Sequence, residues 1–205
     1  MEYTDTESAK TRRDKEEARF KDIYAGEVRA GNEILHFERV GLYEDLFSVM
    51  LPKSYTDMPE ALAKLKYPAE NRPAVIKTND DTTVNFAFAY YAQAFSEDRV
   101  ESAVKAFLSG MRRANPGAKF FETRFLKTEK QVRFGYFDFM TTAFDADMYQ
   151  LFAFVPVRGS FLHGIFNAPA ELMRTWNPVV LQVMRSIEDR DDRFGKTERT
   201  VKENG

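Results

Sequence analysis

The sequence predicts an α+β fold, an antiparallel sheet of about six to eight strands with helices covering it. Three observations carry that expectation. Residues 130–187 read as three successive aromatic-rich strands running into an amphipathic helix. The acidic stretch 145–147 and then Gly159 separate those strands by turns so short that neighbours must pair antiparallel. Residues 148–157 are nearly continuously apolar, which a strand tolerates only when both of its faces are covered. In the first of these strands Val132 and Phe134 share one face, while Phe137, Phe139 and Thr141 fall one position out of phase, with Gly135 at the slip. Such a slip predicts a β-bulge there.

From the start of the chain, residues 1–30 form a densely charged extension of mixed sign, predicted to be helical, with Phe20, Ile23 and Tyr24 as a small apolar corner and Gly26 as C-cap. Residues 33–40 and 46–51 alternate apolar and polar side chains around Gly41, a first hairpin closed by Pro52. Residues 58–66 read as a short helix with Asp57 as N-cap, ended by Tyr67-Pro68. Strands at 73–78 and 82–91 flank the turn Asn79-Asp80-Asp81. In the second, Val84, Phe86, Phe88 and Tyr90 share one face, and the small Ala87 and Ala89 leave room for a helix on the other. Ser96 is placed to cap a helix whose stripe is Val100, Val104, Phe107, Leu108 and Met111, and Pro116-Gly117 stops it. Residues 118–127 form the next strand. After Phe166, Pro169 opens a short helix through Arg174, then Asn177 as N-cap and Pro178 as first helical residue start the last helix, with Val179, Val180, Val183, Met184 and Ile187 on its apolar face. The organisation expected is the extension 1–30, one domain over 31–188 and a charged tail over 189–205.

Composition narrows the function. A chain of 205 residues with a formal charge of −2 has one core and no general attraction to nucleic acid or to an anionic membrane. No apolar run approaches the ~20 residues of a spanning helix, and no apolar leader opens the sequence, so the expectation is a cytoplasmic protein without membrane insertion. The absence of cysteine excludes disulfides, thiolate ligands and a cysteine nucleophile. Nucleophile-elbow, dinucleotide and phosphate-loop motifs are missing. His36 and His163, both on predicted strands, are the only candidates for an assembled acid–base or metal site, and neither has a second ligand at metal spacing. Asp80-Asp81 and Asp145 with Asp147 suit turns better than calcium, because the calcium-loop pattern is absent. No cofactor is expected.

What remains is binding. The 19 phenylalanines fall mostly on predicted strands. Phe134, Tyr136, Phe139, Tyr149, Phe152 and Phe161 are the candidates for an apolar groove or dimer surface. Arg112, Arg113, Lys127 and Lys130, with Lys119, Arg124 and Arg133, make the one locally basic stretch, suited to an acidic protein surface or, against the overall charge balance, a nucleic-acid backbone. The primary reading is a non-enzymatic protein-binding module, adaptor or assembly factor, with a homodimer among its possible complexes. A small apolar-ligand binder between sheet and helix, and an enzyme around the two histidines, are the alternatives.

Residues 47–52 (Phe-Ser-Val-Met-Leu-Pro), the paired late strands over 148–166 and the close over 169–187 with Trp176, Pro178 and Ser186 resemble the PsbP-like superfamily across roughly residues 33–188. That superfamily groups the photosystem extrinsic PsbP proteins, the Mog proteins that bind the Ran GTPase, and bacterial DcrB-like proteins. The resemblance implies an α/β/α sandwich and an adaptor, assembly or chaperone-like role with another protein as partner. It carries over no site residue, and the charged N-terminal extension is not part of the family core.

Overall fold

The computed structural model describes residues 22–30, 33–142 and 146–190. Residues 1–21, with Phe20, the tip residue Asp145, and the tail from 191 onward lie outside the described residues. In chain order the elements are β1 Val28–Ala30, β2 Glu33–Leu35, β3 Phe37–Leu42, β4 Phe47–Pro52, β5 Thr56–Asp57, α1 Glu60–Lys66, β6 Val75–Thr78 and β7 Asn85–Ala94. They continue as α2 Val100–Ala114, β8 Lys119–Lys127, β9 Arg133–Thr142, β10 Asp147–Val157, β11 Ser160–Pro169, α3 Met173–Arg185 and β12 Glu188–Asp189.

Seven strands form one antiparallel sheet in the order β5-β6-β7-β11-β10-β9-β8. The long apolar run of β10 is an interior strand, as its composition demands, between β9 and β11. Arg158 and Gly159, both with positive φ, close the β10–β11 hairpin in the two-residue form whose twist matches the strands. Alternation then sorts the side chains. On one face Phe86, Phe88, Phe134, Tyr136, Leu151, Leu162 and Phe166 meet α3 and a second, three-stranded sheet of β3, β4 and β12. On the other, Phe137, Phe139, Phe154 and Phe161 meet Val100 and Val104 of α2, while Ile76 and Ala87 meet Ala63 of α1. The architecture is a sandwich in which α1 and α2 cover one face, and α3 shares the other with the small sheet. Ile23, Val28 and Ala30, from the range read as an extension, are buried in the α3-side core.

Six local expectations need correction. Gly41 is inside β3, and the first hairpin turns at Tyr43, Glu44 and Asp45, all with positive φ. The strand expected over 33–40 breaks at His36, so that β2 pairs with β1 and β3 with β4. Gly135 is no bulge: β9 keeps its register with β10, and the irregularity lies in β8 between Phe120 and Thr123. With both faces buried, β9 needs no slip to place Phe134 and Phe137 in opposite cores. What position 135 requires is closeness. A Cβ there would stand 2.7 Å from Val104 Cγ2 and 2.9 Å from Phe125 Cδ1, so α2 rests on the bare backbone of β9. Gly135→Ala is therefore expected to cost about 1–3 kcal/mol by overpacking. In urea the midpoint falls with an unchanged slope; an unchanged midpoint would count against the close approach.

The remaining corrections concern caps. Asp57 belongs to β5, where its carboxylate meets Lys77 Nζ at 2.8 Å, and α1 starts after Pro59, whose carbonyl accepts from the Leu62 and Ala63 amides. The Ser96 hydroxyl bonds the Asp98 carboxylate rather than a helix amide. Asn177 does not cap α3. The helix runs unbroken from Met173 with Pro178 inside it, because the Asn177 amide is drawn into a buried network described below.

Candidate functional site

α1 and α2 lie on the same face of the main sheet but cover its two flanks, leaving the middle open. The resulting groove has a first stretch of about 690 Å³, floored by Ala89, Phe152, Phe161, His163 and Ile165, with Tyr67 and Pro73 on the α1 side and Phe107 and Met111 on the α2 side. Lys66, Tyr67, Phe152 and Ile165 are shared with a second stretch of about 560 Å³ that continues past Asn85, Gln150 and Asn167. The small side chains of β7 explain the layout: Ala87 accepts α1, and Ala89, two residues on, leaves the floor low.

The second stretch has a polar wall. Thr78 Oγ1 donates to Asn85 Oδ1 at 2.6 Å, Asn85 Nδ2 to Asn167 Oδ1 at 2.6 Å, and Asn167 Nδ2 to the Tyr67 hydroxyl at 2.7 Å. This chain crosses three strands to the residue that ends α1. Each link satisfies its neighbour, so the wall is rigid. Burial holds the Tyr67 hydroxyl above its ordinary pKa.

The first stretch has the opposite character. His163, 8% exposed, stands among Phe152, Phe154, Phe107 and Phe161, with ring centroids 4.9, 5.3, 5.6 and 6.0 Å away. Its Nε2 is buried without a hydrogen-bond partner. Burial among apolar rings disfavours the imidazolium and pushes the pKa down to about 4. Phe107, above it, is 41% exposed.

The histidines expected as a possible pair are not brought together. His36 is exposed between β2 and β3, with Nδ1 2.7 Å from the Gly26 carbonyl, on the α3 side of the main sheet. His163 belongs to the opposite face. The aromatic interface residues also need correction: Phe134, Tyr136, Phe139 and Tyr149 are fully buried in the two cores and present no surface. Phe161 is buried too, but edges the groove, and Phe152 is half-buried in its floor. Phe107, Met111, Ala89, Ile165 and Tyr67 were missed as lining residues. The exposure of Phe107 at the margin of its helical stripe is a signal that could have found one of them.

The basic stretch divides. The Arg112 guanidinium lies over Phe120 at 5.3 Å, near the start of β8, and Arg113 bonds Ser109 at 2.8 Å. Lys127 ends β8, and eight steps at about 3.3 Å each put it some 26 Å from Lys119. Lys130 meets Glu188 at 3.4 Å and Arg133 meets Glu101 at 3.3 Å. These cations do not share one patch.

Two other polar sites are internally satisfied. Asp138, buried on the α3 side, accepts from the Glu122 amide across the β8 irregularity at 2.7 Å, from the Tyr149 hydroxyl at 3.0 Å and from Asn177 Nδ2 at 3.3 Å. Burial raises the Asp138 pKa. A cleft of about 1010 Å³ beside the β3–β4 turn is lined by charges that pair with one another, Arg190 with Asp45 and Lys130 with Glu188. Among the described residues no three or more His, Cys, Asp or Glu side chains gather for a metal ion, and no helix is long and apolar enough to cross a membrane.

No family model and no curated protein matches this chain. Solved structures do. Cyanobacterial PsbP (CyanoP) from Synechocystis sp. PCC 6803 superposes with a TM-score of 0.57 at 12% identity, over 79% of this chain and 97% of its own. The Saccharomyces cerevisiae Ran-binding protein Mog1p matches at a TM-score of 0.47 and 10% identity, over 78% of this chain and 98% of its own. A Pseudomonas aeruginosa protein of unknown function matches at 0.44 and 12%, over 76% and 99%. Identities this low speak of architecture alone. The seven-stranded sheet with α1 and α2 on one face and α3 on the other is the PsbP-like fold.

Proposed function

We propose that this protein is a non-enzymatic binding module that docks an extended segment of a partner polypeptide in the groove between α1 and α2. The observation that carries this reading is the groove itself: an open trough across the centre of the sheet, apolar at one end and lined by a fixed hydrogen-bonded wall at the other. An extended chain presents side chains alternately, and such a floor accepts them while the polar wall meets amides. Small-molecule sites enclose most of their ligand's surface, whereas this trough is open along its length. A small apolar ligand is the second reading, favoured by the volume of the first stretch.

Selecting a displayed random-peptide library against the full chain tests the first reading. Peptides are expected to enrich, and their amide chemical-shift changes to centre on Phe152, Ile165 and Ala89. Ile165→Glu, which puts a charge on the floor shared by both stretches, is expected to weaken them at least tenfold, with circular dichroism confirming the fold. Peptides that map to the β8 edge or the small sheet, or that bind the variant unchanged, would overturn it.

A further inference from the structure

We infer that the groove contains a subsite for a tyrosine side chain carried on an acidic segment of the partner, its phenolic O–H donating to His163 Nε2 once the Phe107 ring swings aside. The inference rests on the docking reading above.

An unpartnered buried nitrogen is costly, about 1–3 kcal/mol, and native folds keep few of them. Tyr55 Oη and His163 Nε2 are the side-chain atoms in this state among the described residues, and of the two only His163 lines the groove. The imidazole is held neutral by its apolar surroundings. A neutral imidazole has one N–H and one lone-pair nitrogen, and in the Nδ1–H tautomer the unpartnered Nε2 is the acceptor and complements an O–H donor. The Phe107 ring packs on the same cluster, with centroids 4.9 Å from Phe154, 5.6 Å from His163 and 6.2 Å from Phe161, so the place it occupies suits an aromatic ring.

Phe107 is the movable wall. It is 41% exposed at the margin of α2, and turning it outward uncovers the aromatic face that the incoming phenol then covers. The space it vacates is that of one phenyl ring, which fits a phenol and is too small for an indole.

The charge of the segment follows from the rim. Lys66 and Arg72 stand on the α1 side, and no carboxylate is among the described residues lining either stretch. Lys66 Nζ bonds Thr82 and Arg72 Nε bonds the Tyr67 carbonyl. Three ammonium and five guanidinium donors leave several for a partner's carboxylates. Exposed charges of this kind contribute steering and salt dependence more than affinity.

The test uses three acetylated pentapeptides: a central tyrosine between pairs of glutamates, the same peptide with phenylalanine at its centre, and the tyrosine peptide with lysines in place of the glutamates. Binding is read from the ring resonances of His163 and the amides of Phe152 and Ile165. The acidic tyrosine peptide is expected to bind roughly tenfold tighter than its phenylalanine form, the size of one net hydrogen bond. His163→Phe, which keeps an aromatic ring in the box, is expected to erase that preference. The lysine peptide is expected to bind more weakly, with the gap closing as salt is raised. Equal binding of the tyrosine and phenylalanine peptides, a preference that survives His163→Phe, or a lysine peptide as tight as the acidic one overturns the subsite. If all three leave the groove untouched while library-selected peptides occupy it, the subsite falls and the docking reading stands. If the selected peptides also miss the groove, both fall.

Discussion

Replacing His163 with leucine is expected to remove roughly 3 kcal/mol of acid sensitivity from the fold. In the folded chain the imidazole titrates at about 4, against 6.5 when unperturbed. Between those values the unfolded state binds the proton and the folded state does not, so stability rises with pH across this window. The contribution is therefore complete above pH 6.5 and is lost as pH falls toward 4. The aromatic rings around His163 bring no charge that could offset the cost of protonation. Asp138 works in the other direction. Its folded pKa lies above the ordinary aspartate value of 3.8, so its contribution is full below that pH and fades as pH rises through the raised value. Urea midpoints at pH 7, 5.5 and 4.5 should decline steeply in the natural chain and much less in His163→Leu, with the Asp138 dependence unmasked. Parallel declines in the two proteins would sink the assignment. At pH 7 the leucine variant should be at least as stable as the natural chain, since it no longer buries an unsatisfied nitrogen. That outcome would mark position 163 as one where stability has been yielded to recognition.

Trp176→Ala is expected to produce the largest loss, about 3–5 kcal/mol. The indole is 1% exposed on α3, with Phe166 at 5.3 Å, Phe86 at 5.8 Å and Tyr55 at 6.3 Å. Those residues come from β11, β7 and the connection between β4 and β5, so the ring ties the helix to the main sheet and to that connection. Its removal opens a cavity whose rigid aromatic walls collapse poorly. Such a loss is a large part of the 5–15 kcal/mol typical of a domain. It is to be followed by circular dichroism, because the chain's single tryptophan disappears with the substitution. A loss below about 1 kcal/mol would show that α3 is held chiefly elsewhere.

The sheet was legible where the pattern is local. The turn at Gly159 and the unbroken apolar run of β10 imply an interior antiparallel strand, and the structure has one. The groove was not legible, because its residues come from the end of α1, the middle of α2, the β10–β11 hairpin and β7, which meet only in the fold. Residue type also misled. Phe134 and Tyr149 look like surface candidates by chemistry, but alternation on a sheet covered on both sides sends them inward. The same holds for Asn177-Pro178, which has the local grammar of a helix start. Bonds from Asn177 to Tyr149 at 2.8 Å and to Asp138 at 3.3 Å place it inside a longer helix instead.

The seven-stranded sheet is also a partition. Tyrosine and tryptophan anchors, the small sheet and α3 lie behind it, while the groove, His163 and Phe107 lie in front. Changes more than about 7–10 Å apart with no shared contacts tend to act independently. Substitutions in front can accordingly reshape the groove while the core behind keeps the chain folded. Such a scaffold can remodel one face over evolutionary time without passing through unfolded intermediates.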